Sequence, residues 1–291
     1  MTGFTDIHCH GGGGYSFSDS NPEYVQRAIN THRSFGTTIQ IASLVTEPLE
    51  TLKKQIKNLL PFVTNGELAG IHLEGPYLSR AHCGAHNPDF LRYPSLDEIK
   101  SLIESGSGAI KMITLAPELP GAMEAIQWLK GNGITVAIGH SQATYDQGLE
   151  AIDSGATLVT HMFNGMPRLD HRQANITNAV LNDSNIFFEL ILDGIHVHQS
   201  MVQLLLAIAP ERVILVTDAM SGAGAPDDIY KLGDLDVEVK DGAARLLSNN
   251  SLAGSTLTMD MAYRLLLEEF QVDPSIALSA ATTLALKLLG I

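Results

Sequence analysis

The chain has 291 residues, 45% of them hydrophobic, and a formal net charge of −14. This acidic balance, without any basic run, argues against nucleic acid or an anionic membrane surface as a partner, because both need clustered positive charge. No apolar run reaches the roughly 20 residues of a membrane span, and the segment Met1-Thr2-Gly3-Phe4 lacks the parts of a signal peptide. With only two cysteines, Cys9 and Cys83, we expect a cytoplasmic protein without a structural disulfide.

Short apolar runs rich in β-branched residues alternate with helical patterns along the whole chain. The predicted strands cover 4–9, 37–43, 68–73, 109–115, 134–139, 156–161, 186–192 and 213–217. The predicted helices cover 22–35, 48–63, 95–105, 121–131, 143–154, 174–182, 198–209, 258–271 and 274–289. Eight strands, each followed by a helix, predict a (β/α)8 TIM barrel, a fold that typically needs about 250 residues. We therefore expect one domain over residues 1–291.

Local signals mark three of the helix boundaries. Asn21 before Pro22 predicts a helix start, because asparagine caps well and proline suits the first turn. Ser95 with Glu98 three residues later predicts a capping box. The run Gly131-Asn132-Gly133 predicts a helix end that leads directly into a strand.

Two segments interrupt the alternation, and both follow a strand. Residues 75–94 form a predicted long loop rich in His, Gly, Asn and Pro. Residues 220–256 contain a predicted β-hairpin insertion, with strand patterns at 230–233 and 235–239 and a turn at Asp241-Gly242. Barrels build their active sites from the loops that follow the strands, so we expect both segments near the site.

Metal-ligating residue types stand at or just after the ends of five predicted strands. They are His8, His10, Glu74, His140, His161 and Asp218. Alternate residues of a strand point to the same side, so one cation can be shared by both histidines of the first pair. Neutral imidazole and carboxylate suit Zn²⁺, Fe²⁺ or Mn²⁺, and together they predict a metallohydrolase with one or two ions. His72, two residues before Glu74, is expected to support the site without ligating.

Five distinctive motifs are spread in order over nearly the whole chain. They are Leu73-Glu74-Gly75-Pro76, Gly84-Ala85-His86-Asn87-Pro88, His161-Met162-Phe163-Asn164, Asp193-Gly194-Ile195-His196-Val197-His198 and Leu252-Ala253-Gly254-Ser255-Thr256-Leu257-Thr258-Met259. In this combination the chain resembles the N-acetylglucosamine-6-phosphate deacetylase family of the amidohydrolase superfamily. The resemblance implies a metal-dependent barrel enzyme that releases acetate from the sugar phosphate.

The resemblance also implies roles for the metal-ligating positions. Glu74, His140 and His161 would hold the main catalytic metal. His8 and His10 would hold a second metal together with Glu74 and Asp218. Zn²⁺ is the first expectation, with Fe²⁺ and Mn²⁺ as alternatives. Asp218 would act as general base on the attacking water and then as acid toward the leaving amine.

The implied partner is a small amino-sugar phosphate. His86, Asn164, Gly165 and His196 would contact the sugar and phosphate, and Arg172 would reach the phosphate across a homodimer interface. Gly165 stands where alanine is usual in the family, and the residues after Arg172 depart from the common pattern.

Family members also carry terminal segments that form a small β-sandwich domain, which we expect to be largely missing here. Two alternatives to the deacetylase stay open from the sequence. One is a deacylase of another N-acyl amino sugar or of an N-acyl amino acid. The other is a truncated, inactive paralogue that binds metal without turnover.

Overall fold

The computed structural model describes residues 3–291, so Met1 and Thr2 of the segment inspected for a signal peptide lie outside it. The strands are β1 (Phe4–Asp6), β2 (Gly11–Gly12), β3 (Tyr15–Ser16), β4 (Thr37–Leu44), β5 (Gly70–Glu74), β6 (Ile110–Leu115), β7 (Thr135–Ile138), β8 (Leu158–Val159), β9 (Phe187–Ile191), β10 (Val213–Val216), β11 (Ile229–Leu232), β12 (Leu235–Lys240) and β13 (Ala243–Leu246). The helices are α1 (Pro22–Ser34), α2 (Leu49–Thr64), α3 (Leu96–Ser105), α4 (Ala122–Gly131), α5 (Tyr145–Ser154), α6 (Ile176–Asn182), α7 (Gln199–Ile208), α8 (Met259–Glu268), α9 (Pro274–Ala280) and α10 (Thr283–Leu289).

Eight parallel strands form the barrel in the order β1-β4-β5-β6-β7-β8-β9-β10. The first and last strands meet at their carboxyl ends through a parallel bridge between Cys9 and Ala219. There the Asp218 amide donates to the His8 carbonyl at 2.8 Å, and the His10 amide donates to the Ala219 carbonyl at 2.7 Å. The predicted (β/α)8 barrel is confirmed. It closes where the segment with His8 and His10 pairs with the segment that contains Asp218.

The barrel strands are apolar because helices cover the sheet on its outer face. All four residues of β10, Val213–Val216, are buried, as expected for a parallel strand enclosed on both sides. Helix α1 turns Val25, Ala28 and Ile29 inward while its remaining face is largely polar. Among residues 3–291, no helix is both long enough and apolar enough to cross a bilayer.

All three predicted helix boundaries are confirmed, and Ser95 is the residue that precedes the first turn of α3. The Asn21 side chain accepts a hydrogen bond from the Glu23 amide at 3.0 Å, and α4 ends at Gly131. The capping box at Ser95 is wrong, because its side chain makes no capping hydrogen bond. Glu98 pairs instead with Arg92 in the preceding loop, and this ion pair takes the carboxylate away from the helix start.

The predicted helix 274–289 is wrong as a single helix, because the structure has α9 and α10 in its place. Thr282 between them has φ −142° and ψ −82°, outside the helical region. Its hydroxyl bonds back to the Leu278 carbonyl. The apolar periodicity continues through the break, so the pattern gave no sign of it.

The insertion after β10 is a three-stranded antiparallel sheet, not the predicted two-stranded hairpin. The turn at Asp241-Gly242 joins β12 to β13, and a strand not foreseen from the sequence, β13, forms the far edge. One face of this sheet packs a small apolar cluster against the barrel mouth. Its buried members are Val45, Met220, Leu232, Val237, Val239, Ala244, Leu246 and Ala253.

Candidate active site

The predicted metal ligands converge at the carboxyl ends of the barrel strands, and all six are buried. Their ligand atoms form two groups that share Glu74, with atoms in each group within 4.8 Å of one another. The first group is His8, His10, Glu74 and Asp218, and the second is Glu74, His140 and His161.

Glu74 divides its two carboxylate oxygens between the groups. Oε1 lies 3.0 Å from His140 Nε2 and 3.1 Å from His161 Nε2. Oε2 lies 3.2 Å from His10 Nε2 and 3.5 Å from His8 Nε2. A carboxylate in this position is suited to bridge two neighbouring cations.

The far nitrogen of three of the four histidines faces an acceptor. Nδ1 of His8 lies 2.8 Å from a Glu189 oxygen, Nδ1 of His10 lies 3.2 Å from the Ser43 carbonyl, and Nδ1 of His140 lies 2.8 Å from the His82 carbonyl. Each acceptor requires the proton on Nδ1, so the Nε2 atom of a neutral ring carries a lone pair. Such outer partners commonly orient metal-ligating histidines.

These lone pairs face one another and the carboxylates at short range. Nε2 of His8 lies 3.2 Å from Nε2 of His10, and Nε2 of His140 lies 3.0 Å from Nε2 of His161. Buried acceptors that face one another need positive charge between them, which either protons on the rings or a bound cation can supply. The donor set therefore fits a divalent metal ion of the kind that nitrogen and oxygen ligands bind.

The pKa values of the cluster reflect competition between burial and charge. Burial alone would raise the pKa of Asp218, but the facing imidazoles of His8 and His10 outweigh it and lower this pKa to about 2. The pKa of Glu74 is likewise held well below its usual value, against its burial, by the surrounding histidines. Burial lowers the pKa of His140 to about 4. Burial would lower the pKa of His8 and His10, but the facing carboxylates outweigh it and raise both values, that of His10 to about 9, so a bound cation would displace protons from these two rings.

Three of the predicted ligands have a backbone conformation that residues other than glycine seldom adopt. His140, His161 and Asp218 have φ values of +49°, +28° and +47°, each just past the end of a strand. Such conformations cost of order 1–3 kcal/mol and cluster at functional sites. At these three positions the chain turns sharply and aims the side chain into the barrel mouth.

Glu189 belongs to the site and was missed by the sequence reasoning. It is completely buried in β9, and its Oε2 atom contacts both His8 Nδ1 at 2.8 Å and the His161 amide at 3.1 Å. A charged residue inside the apolar run 186–192 was the available signal. His72 lies beneath the site, where its ring packs edge-on against His8 with centroids 4.7 Å apart.

A cavity of about 160 Å³ opens above the ligands. Four of the five predicted substrate-binding residues line it, namely His86, Asn164, Gly165 and His196. Arg172 does not line it: this residue is exposed, on the loop between β8 and α6. Within one chain, the structure therefore brings together the predicted sugar contacts but not the predicted phosphate-binding arginine.

A parallel (β/α)8 barrel with this His/Glu/Asp cluster at its mouth defines a metal-dependent hydrolase of the amidohydrolase type. The curated N-acetylgalactosamine-6-phosphate deacetylase of Escherichia coli O157:H7 is 36% identical over 99% of this chain and 77% of its own length. N-acetylglucosamine-6-phosphate deacetylase of Lysinibacillus sphaericus is 37% identical over 91% of this chain and 69% of its own length. The chain belongs to the N-acetylglucosamine-6-phosphate deacetylase family, although no protein-family model matches it.

Solved structures agree with this assignment. A mutant of N-acetyl-D-glucosamine-6-phosphate deacetylase from Mycobacterium smegmatis, in complex with N-acetyl-D-glucosamine-6-phosphate, superposes with a TM-score of 0.96 at 41% identity, covering 100% of this chain and 77% of that one. The N-acetylglucosamine-6-phosphate deacetylase of Thermotoga maritima gives 0.92 at 33% identity, covering 100% and 78%. The chain thus spans about three quarters of these neighbours.

Proposed function

We propose that the protein hydrolyses the N-acetyl amide of N-acetylglucosamine 6-phosphate to glucosamine 6-phosphate and acetate. The observation that carries this proposal is the shared Glu74, whose two oxygens face two groups of histidines beside Asp218 in one cavity. The relatives that match nearly all of this chain are deacetylases of amino-sugar phosphates, which supports the substrate class.

The two ligand groups would hold one or two divalent ions, Zn²⁺ first and Fe²⁺ or Mn²⁺ as alternatives. A bound ion would polarise the amide carbonyl and lower the pKa of water toward about 7. Asp218 takes a proton from the attacking water as the new C–O bond forms. It then gives that proton to the nitrogen as the C–N bond breaks, so that acetate and the free amine leave.

His86 is oriented to donate a hydrogen bond to the substrate. The Thr46 amide donates to its Nδ1 atom at 3.2 Å, which leaves the proton of the neutral ring on Nε2. That Nε2 atom lies 3.5 Å from Glu74 Oε2, so it borders the position of the reacting amide. His86 is thus placed to fix a substrate oxygen beside the ligand cluster.

His196 is held by Asp193, whose carboxylate lies 2.6 Å from its Nδ1 atom. With Asn164 and Gly165 it forms the wall that we assign to the sugar and phosphate. Arg172 would bind the phosphate of the neighbouring subunit's substrate, which makes the active form a homodimer. The exposure of Arg172 away from its own cavity supports this arrangement.

We also place the enzyme in the cytoplasm. Cys9 is buried without a disulfide and Cys83 is half-buried and also free, a state that suits a reducing compartment.

The 4-epimer, N-acetylgalactosamine 6-phosphate, is a second candidate substrate, because one of the relatives reported above carries that name at 36% identity. Amine release should be measured on the two epimers and on unphosphorylated N-acetylglucosamine, with Zn²⁺ or Fe²⁺ supplied. The proposal predicts the highest kcat/KM on N-acetylglucosamine 6-phosphate. Equal rates with and without phosphate would favour a deacylase of other N-acyl amino sugars. Metal binding without any turnover would favour an inactive paralogue.

A further inference from the structure

The cavity above the ligands has two walls of opposite character. Over β7, β8 and β9 the lining is polar, with His140, Asn164 and His196. On the opposite side, over β10, β4 and β5, the lining side chains outside the ligand cluster are His86 and four apolar ones, Val45, Ala85, Leu232 and Leu252. Two of these four apolar residues come from the insertion and the segment that follows it.

The insertion is seated firmly against the loops on that side. A Cβ atom on Gly233 would lie 3.0 Å from Val45 Cγ2, so the turn between β11 and β12 touches the segment after β4. The Asn87 amide group donates to Asp234 at 2.7 Å and ties the same turn to the loop after β5. Leu232 is only 6% exposed at this junction. Its side chain is therefore a fixed part of the cavity wall.

We propose that the insertion determines acyl-group specificity, with Leu232 as the residue that closes the cavity around the acyl methyl group. This inference rests on the proposed function and adds the part of the substrate that this surface selects. The scissile carbonyl must lie at the ligand cluster between the two walls. The hydroxyls and phosphate of the sugar require the polar wall, so the methyl group is directed to the apolar one.

Because the cavity holds only about 160 Å³, the apolar wall limits the length of the acyl chain that can bind. Each methylene added to or removed from an apolar pocket changes specificity by about 10- to 200-fold. An N-butyryl substrate carries two more methylenes than the N-acetyl substrate. Leu232 is the residue against which they would press.

The test compares kcat/KM for the N-acetyl and N-butyryl forms of glucosamine 6-phosphate in three proteins. They are the unaltered chain, Leu232→Ala and Leu246→Ala. Leu246 is a matched control, because it is equally buried in the same apolar cluster but does not line the cavity. We expect Leu232→Ala to raise the butyryl-to-acetyl ratio at least about 10-fold, and Leu246→Ala to leave the ratio unchanged.

The ratio separates specificity from packing damage, since loss of folded enzyme lowers both rates together. An unchanged ratio in Leu232→Ala would overturn the acyl assignment alone. Equal ratio changes in both variants would overturn it too, because the effect would then arise from loosening of the sheet. Failure of the folded, metal-loaded unaltered chain to hydrolyse either substrate would overturn the proposed function and this inference with it.

Discussion

Glu189 accepts a hydrogen bond from Nδ1 of His8 at 2.8 Å, completely buried inside the barrel. The same oxygen accepts from the His161 amide, so one carboxylate contacts a segment of each ligand group. It fixes the tautomer of His8 and positions the turn that carries His161. Glu189 thus contacts a segment of each predicted ligand group, although it belongs to neither group itself.

The variant Glu189→Gln should weaken metal binding about 10- to 100-fold, because outer partners of ligating histidines contribute on that scale. A calorimetric titration of the metal-free protein with Zn²⁺ measures the change in affinity. Glu98→Gln is the control, since Glu98 pairs with Arg92 and belongs to neither ligand group. Unchanged affinity in Glu189→Gln would show that the Glu189 carboxylate does not support metal binding through His8.

Asp218→Asn should lower kcat by at least about 100- to 10,000-fold, the usual contribution of a general acid–base group. The amide cannot carry the proton from water to the leaving amine. Bound metal should stay near the level of the unaltered protein at the group formed by Glu74, His140 and His161. Elemental analysis beside the acetate assay checks both statements, and near-normal turnover would remove Asp218 from the proton transfer.

Asp193 gives a pH dependence with a definite sign. Burial opposes its ionisation, but hydrogen bonds, first of all from His196, lower its pKa below 3.8. A depressed carboxyl pKa stabilises the fold above the unfolded value and loses that effect as pH falls through the folded value. Asp193→Asn should therefore be less stable by about 1–3 kcal/mol at pH 7.

That difference should shrink below a pH of about 4. Urea unfolding of both proteins at pH 7 and at pH 3.5 measures it. A difference of the same size at both pH values would mean that the Asp193 charge does not stabilise the loop. At pH 7 the variant should also raise KM, because His196 loses the partner at 2.6 Å that orients it.

Arg172→Ala should raise KM for the phosphorylated sugar and leave kcat/KM for unphosphorylated N-acetylglucosamine nearly unchanged. Loss of one charged hydrogen-bond donor costs about 1.5–3 kcal/mol, or roughly 10- to 150-fold. Arg168→Ala, on the same loop, is the matched control. Equal losses on both sugars would indicate a structural effect of the loop and not phosphate binding.

The sequence predicted which residues cluster at the barrel mouth because their positions obey simple geometry. His8 and His10 are two residues apart after a strand, and the other ligands end strands that a parallel barrel brings to one mouth. Glu189 was missed because its role depends on contacts with His8 and His161, which are distant from it in the sequence. No local pattern contains that relation.

The remaining errors have similar causes. Strand β13 depends on pairing with β12 and carries little β-type signal of its own in Ala243–Leu246. The break at Thr282 follows from a backbone conformation that apolar periodicity does not register. The role of Arg172 stays a prediction, because the proposed phosphate contact joins two subunits and the structure describes one chain.

The most direct test of the central claim is acetate release from N-acetylglucosamine 6-phosphate before chelation, after chelation and after metal return. The facing nitrogen and carboxylate groups around Glu74 predict activity that disappears with the metal and returns with one or two equivalents of Zn²⁺ or Fe²⁺. Thermal stability should follow the same course, because a ligand that binds only the folded state stabilises it. Full turnover by demonstrably metal-free protein would contradict the account.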